Sequence, residues 1–145
     1  MTAASQILLG SALLTFCALI HVGVVAIMVP LLSHASRRLN YARVRLRTLI
    51  LTGLSVFMLL MAHTLQVWSW AAAFLLLGAF ADFPTSFYFS TATYTTLGYG
   101  DLLLDDGLRI FGTFAAITGL LTFGISTALL MGLVVRLLPS LNTAD

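Results

Sequence analysis

The chain contains no lysine and no glutamate, and only 8% of its 145 residues are charged. A soluble domain carries about 25% charged residues, so a water-facing surface along the whole chain is excluded. Charge this sparse gives no footing for a nucleic-acid partner, and none is expected. Cysteine occurs once, at Cys17 within an apolar run. A single thiol forms no internal disulfide and packs as a small hydrophobe. With no glutamate, no metal-ligand cluster, no phosphate loop and no Ser/His/Asp set, no catalytic constellation is visible. The chain reads as a non-enzyme with no organic cofactor.

What remains is apolar: 60% of residues are hydrophobic and the mean hydropathy is +1.05. A membrane-crossing helix needs about 20 apolar residues, and three stretches qualify. The first covers about 7–32 and is expected to end at Pro30. Met1 to Gln6 lack the positive flank of a secretory signal, so this stretch reads as a retained helix. The second covers about 48–81, longer than one crossing requires, which implies tilt or a bend. Trp68 and Trp70 are expected there as interfacial anchors, and Gly78 as a break near the end. The third covers 108–138 and is expected to stop at Pro139.

Residues 82–106 differ. Positions 84–95 suit a helix but are crowded with Thr, Ser and aromatics. Such a helix reaches only halfway through a bilayer at about 1.5 Å per residue. Pro84 fits a first helical turn, and Asp82 ahead of it favours the positive end of the helix dipole. Non-helical backbone at membrane depth persists only where protein buries it or it lines water. A re-entrant loop here therefore implies a pore or cavity. The chain divides into an N-terminal helix (1–35), a basic linker (36–47), a core unit (48–138) and a short tail (139–145).

Arg37, Arg38, Arg43, Arg45 and Arg47 crowd the linker, and Arg136 lies near the end of the third helix. Asp82, Asp101, Asp105 and Asp106 fall on the opposite side, with Arg109 alone among them. The positive-inside rule puts the linker and C-terminus in the cytoplasm of a multi-pass cell-membrane protein, with the N-terminus and acidic loop outside. The linker arginines also suit anionic lipid headgroups. A voltage sensor is disfavoured, because the first helix carries no Arg.

The chemistry lies in Thr96-Leu97-Gly98-Tyr99-Gly100, flanked by Thr95 and Asp101. Stripping water from a cation requires many neutral oxygens at close range, and backbone carbonyls supply them. Successive carbonyls face one axis only if backbone handedness alternates, and Gly98 and Gly100 accept positive φ without steric penalty. The Thr96 hydroxyl adds a further oxygen at the inner end. Leu97 and Tyr99 are expected to point away from the axis and pack behind the loop.

Thr96-Leu97-Gly98-Tyr99-Gly100-Asp101 resembles the potassium-channel signature Thr-Val-Gly-Tyr-Gly-Asp, with Leu97 as the single change. Phe83 to Asp101 is similar to the pore helix and filter of bacterial potassium channels. Gly119 to Ala128 is similar to their inner helix. The resemblance spans about 48–138, with no counterpart for the first helix. It implies an all-α potassium-channel pore fold: three transmembrane helices, a re-entrant pore helix (84–95), a filter (96–100) and an inner helix (108–138). It further implies a homotetramer, each subunit partnered by three identical ones. Potassium ions, the permeant ligand, would be ringed by carbonyls of Thr96, Leu97, Gly98 and Tyr99. Asp101 would sit behind the outer mouth.

Some relatives pair a pore-helix Glu with the Asp after the filter. Ala92 stands at that position, so no carboxyl pair is expected. Leu103 stands where an aromatic favours external tetraethylammonium block, so weak block is expected. Gly119 and Gly124 suit either close helix packing or a gating hinge. Thr127, Met131 and Val135 share one helix face, and the resemblance turns that face to the pore as an apolar gate. His21, and His63 with Gln66, are expected to hydrogen-bond neighbouring helices, with proton sensing as the rival role. Two other functions compete: a non-conducting scaffold, which has no need of two filter glycines, and a weakly selective cation channel, which Tyr99 disfavours.

Overall fold

In hydrocarbon a helix satisfies its backbone groups internally, and the long apolar stretches take that form. The computed structural model describes residues 1–39 and 44–142, the last six as backbone only. Its elements are α1 (Ala3–Arg38), α2 (Val44–Leu76), α3 (Phe83–Tyr94) and α4 (Arg109–Asn142), with no strand among the described residues. The architecture is all-α. Ala3–Arg38, Val44–Leu76 and Arg109–Arg136 are each long and apolar enough to cross a membrane. The outward surface matches that solvent, with Leu8 71% and Leu49 70% exposed.

Two expected helix ends are corrected. α1 runs through Pro30 to Arg38, and the α4 backbone runs past Pro139 to Asn142. A proline inside a helix removes one hydrogen bond, whereas ending the helix strands four carbonyls. At Pro30, within the apolar stretch, no water receives those carbonyls and continuing is the cheaper course. Pro139 lies in the expected tail, where this reason does not hold. α2 stops at Leu76, earlier than expected. There Gly78 takes φ 69°, its N–H donates to Leu75 O at 3.0 Å and Ala79 N–H to Phe74 O at 2.9 Å. This pair of bonds is the Schellman stop, which needs a left-handed residue at Gly78.

α1 packs against both α2 and α4. Its buried stripe is Gln6, Gly10, Cys17, His21 and Met28, spaced four and seven residues apart along one face. A Cβ on Gly10 would come 2.5 Å from the Phe114 ring, so glycine there sets how closely α1 approaches α4. Gln6 reaches further. Its Oε1 accepts from Ile110 N–H at 3.0 Å and Phe111 N–H at 3.3 Å. These are first-turn donors of α4 with no intrahelical partner, so one helix caps another.

Trp70 is also corrected. It is fully buried rather than at the interface, with ring centroids 5.2 Å from Phe111 and 5.9 Å from Phe74. Trp68, two residues earlier, is 53% exposed and meets Phe83 and Phe87. Two helical residues that close in sequence point to nearly opposite faces, so only one of the pair reaches the membrane surface.

The start of α1 and the start of α4 lie at one end of the bundle, joined by Gln6. Arg37 and Arg38 close α1 at the other end, where the Arg47 guanidinium donates to Ser36 Oγ. Arg43 and residues 143–145 of the expected tail lie outside the described residues.

Candidate functional site

The site is built on α3. At its start Asp82 is the N-cap: its Oδ1 accepts from Thr85 N–H at 2.8 Å and its Oδ2 from the Thr85 hydroxyl at 2.9 Å. Pro84 follows in the first turn, where its missing N–H leaves no gap. The helix has 12 residues, about 18 Å of rise and half a bilayer. Midway, the buried Ser90 hydroxyl donates to Val67 O at 2.8 Å, fixing α3 against α2. At its end, a Cβ on Gly119 would lie 1.9 Å from the carbonyl oxygen of Tyr94. Gly119 is thus a packing contact, and α4 seats the last turn of α3. Gly124 has no such neighbour.

The chain then leaves the helix under control. Thr95 N–H donates to Thr91 O at 3.0 Å and Thr96 N–H to Thr93 O at 2.9 Å. Leu97 N–H and Gly98 N–H both donate to Ala92 O, at 2.9 and 3.2 Å. From there the backbone alternates: φ is positive at Thr96 (59°), Gly98 (51°) and Gly100 (77°), and not at Leu97 or Tyr99. Alternation of this kind lets consecutive peptide oxygens face one side. Positive φ at a non-glycine, β-branched residue is a costly conformation, and nothing in the sequence signalled it at Thr96.

In the isolated chain Leu97 is 54% and Tyr99 70% exposed. An apolar groove of about 290 Å³ runs between α3, the loop at 102–104 and α4, lined by Phe89, Leu103, Leu104, Gly112 and Ala116 among others. Asp101 has a partner that the sequence did not announce. The Tyr88 hydroxyl donates to its Oδ2 at 2.6 Å, and its Oδ1 accepts from Leu102 N–H at 3.1 Å. Tyr88 lies one helical turn before Ala92, on the same face of α3. The Asp101 hydrogen bond holds the Tyr88 phenol above its ordinary pKa. Further along the loop, Arg109 pairs with Asp106 at 2.7 Å and its Nε donates to Leu104 O at 3.0 Å. One cation therefore already sits among the acidic groups.

Along α4, Thr127, Met131 and Val135 are all exposed in the single chain. Beneath the last turn of α3 lies a largely buried polar constellation drawn from every helix: His21, the half-buried His63 with Gln66, Tyr94, and Thr122 with Ser126. The expectation that His21, His63 and Gln66 bond across helices holds. Tyr94 bonds His63 and Gln66 directly and is linked to His21 only through Gln66; no residue pattern in the sequence singled it out.

No curated protein and no solved structure matches the chain. A family model described as "Ion channel" matches residues 46–136, the stretch from α2 through the half-length helix and alternating loop to α4. The chain belongs to the ion-channel pore-domain family.

Proposed function

We propose that this protein is a potassium-selective channel in which four copies surround one axis in a cell membrane. The observation that carries this is the alternation of φ at Thr96, Gly98 and Gly100, directly after a helix that stops halfway through the bilayer. Carbonyls of Thr96, Leu97, Gly98 and Tyr99 replace the hydration shell of the ion. One strand offers oxygens from one side only, so conduction requires further copies. The exposed Leu97 and Tyr99 side chains and the groove between α3 and α4 are surfaces that a neighbouring copy covers. The end of α3 aims the negative end of its dipole toward the ion path.

The positive-inside rule assigns the end bearing Arg37, Arg38, Arg45 and Arg47 to the cytoplasm, where anionic lipid headgroups suit them. The filter end and the start of α1 then face outward. Rubidium uptake into liposomes holding the purified protein tests the reading. Uptake that barium blocks and sodium does not match is expected; absence of uptake sinks it. Leu103, 74% exposed in the isolated chain, offers no aromatic face to an external quaternary ammonium. Weak external tetraethylammonium block is therefore expected, and submillimolar sensitivity contradicts that assignment.

A further inference from the structure

With the Gln66 amide oriented as the structure has it, the protons of the constellation can be followed around a circuit. Tyr94 Oη lies 3.0 Å from Gln66 Oε1, an atom that only accepts, so the phenol donates. Gln66 Nε2, a donor, lies 3.1 Å from His21 Nδ1, which must then be the bare nitrogen. His21 carries its proton on Nε2, 3.3 Å from Ser126 Oγ. Ser126 turns its own proton to His63 Nε2 at 2.9 Å. His63 therefore holds its proton on Nδ1, 2.9 Å from Tyr94 Oη, where the path began. Each member donates once and accepts once. The second lone pair of Tyr94 can accept the single proton of the Thr122 hydroxyl at 2.8 Å, which otherwise goes to Thr118 O at 2.8 Å.

We propose that Tyr94, Gln66, His21, Ser126 and His63 form a closed ring of hydrogen bonds, all donating in one rotational sense, and that the ring positions the filter by clamping the last turn of α3 to the other three helices. Tyr94 stands two residues before Thr96, so the height and rotation of its ring are passed directly to the first filter residue. Tyr94 is 1% exposed, and His21 and Gln66 are fully buried. His63 is half-buried; at the buried members, a broken link leaves a polar group unpaired. The ring also gives α1 a purpose, since without His21 the circuit is open. These five are positioning residues; none touches the ion. The functional half of the proposal rests on the conduction reading above, and the ring itself does not.

The two imidazoles must hold opposite tautomers. Reversing the sense, with the Gln66 amide turned over, moves both protons and keeps them opposite. Nitrogen-15 NMR of histidine-labelled protein in bilayers reads this directly, with the exposed His34 removed as His34→Gln. One imidazole protonated on Nδ1 and the other on Nε2, both neutral, is the expected result, and Tyr94→Phe should abolish the pairing. Two identical tautomers, an imidazolium at neutral pH, or signals unmoved by Tyr94→Phe overturn the ring.

The positioning role is read by flux. Tyr94→Phe and His63→Leu are expected to lower the rubidium-over-sodium preference by about tenfold, the factor carried by one lost buried hydrogen bond. His63→Gln, whose amide offers one donor and one acceptor, should restore most of it. Wild-type preference in Tyr94→Phe, or no difference between His63→Gln and His63→Leu, overturns the clamp. The tautomers are read whether or not the protein conducts, so a silent wild type counts against conduction and leaves the ring to the NMR result.

Discussion

At the scale of single residues, the site divides into positions whose chemistry is visible in their names and positions that depend on their neighbours. Gly98 and Gly100 belong to the first group: a loop needing positive φ selects glycine, and both adopt it. Thr96 adopts it too, and no residue-level rule points there, because its conformation is imposed by the exit of α3. Tyr88 belongs to the second group. Nothing local marks it until the fold brings it to Asp101. Its hydrogen bond favours the protonated phenol, so its pKa is raised. A raised pKa means that the contact is intact below the ordinary phenol value of about 10 and is lost as pH climbs through the raised one. The difference in phenolate absorbance between wild type and Tyr88→Phe should therefore have its midpoint above that ordinary value. A midpoint at or below it means the bond is absent. Tyr88→Phe should also shorten the time for which the filter sustains current, measured by steady recording, since Asp101 then loses its pore-helix partner. Gly119→Ala makes a sharper case. Its methyl would sit 1.9 Å from the Tyr94 carbonyl oxygen, so α4 must move off α3. Overpacking of this kind costs about 1–3 kcal/mol, and a lower melting temperature than Gly124→Ala is the expected sign.

At the scale of elements, hydropathy made the existence of the spanning helices legible, and length set α3 apart as a half-crossing. The ends were less legible. Pro30 and Pro139 read as stops because that is their meaning in water, where stranded carbonyls find partners. At Pro30, in hydrocarbon, the balance reverses and α1 runs on. α4 also continues past Pro139, which lies in the expected tail and not in hydrocarbon. Gly78 was readable because a Schellman stop needs nothing beyond the local chain. The purpose of α1 was hidden because it lies in side chains paired across about a hundred residues of sequence. Gln6 caps Ile110 and Phe111, which no window along the chain contains. Gln6→Leu keeps the volume and removes the acceptor, leaving two first-turn N–H groups of α4 unpaired. The expected loss is about 1–2 kcal/mol, seen as faster amide exchange at Ile110 and Phe111 with the rest of α4 unchanged. Uniform exchange along α4 would mean that the cap has no local effect.

At the scale of the whole molecule, one chain presents its functional surfaces unfinished. Leu97, Tyr99 and the Met131–Val135 face are all open to the outside of the single subunit. Two environments suit an exposed apolar face on α4: lipid, or an axis shared by four copies. They make different demands. Against lipid, Met131 needs only to be apolar, and Met131→Ser would weaken insertion without altering gating. Against an axis, Met131 at 64% and Val135 at 55% exposure close around a narrow path from which water withdraws, and ions stop where water does. Replacing the thioether by a hydroxyl rewets that path. Met131→Ser is therefore expected to raise the open probability or add a standing leak in single-channel recordings, with selectivity unchanged because the proposed filter, Thr96 to Gly100, would stand at the other end of the path. Val135→Ser, one helical turn further along the same face, should act in the same direction. Unchanged opening and conductance in both variants would assign this face to lipid and move the gate elsewhere, with the filter as the remaining place for it.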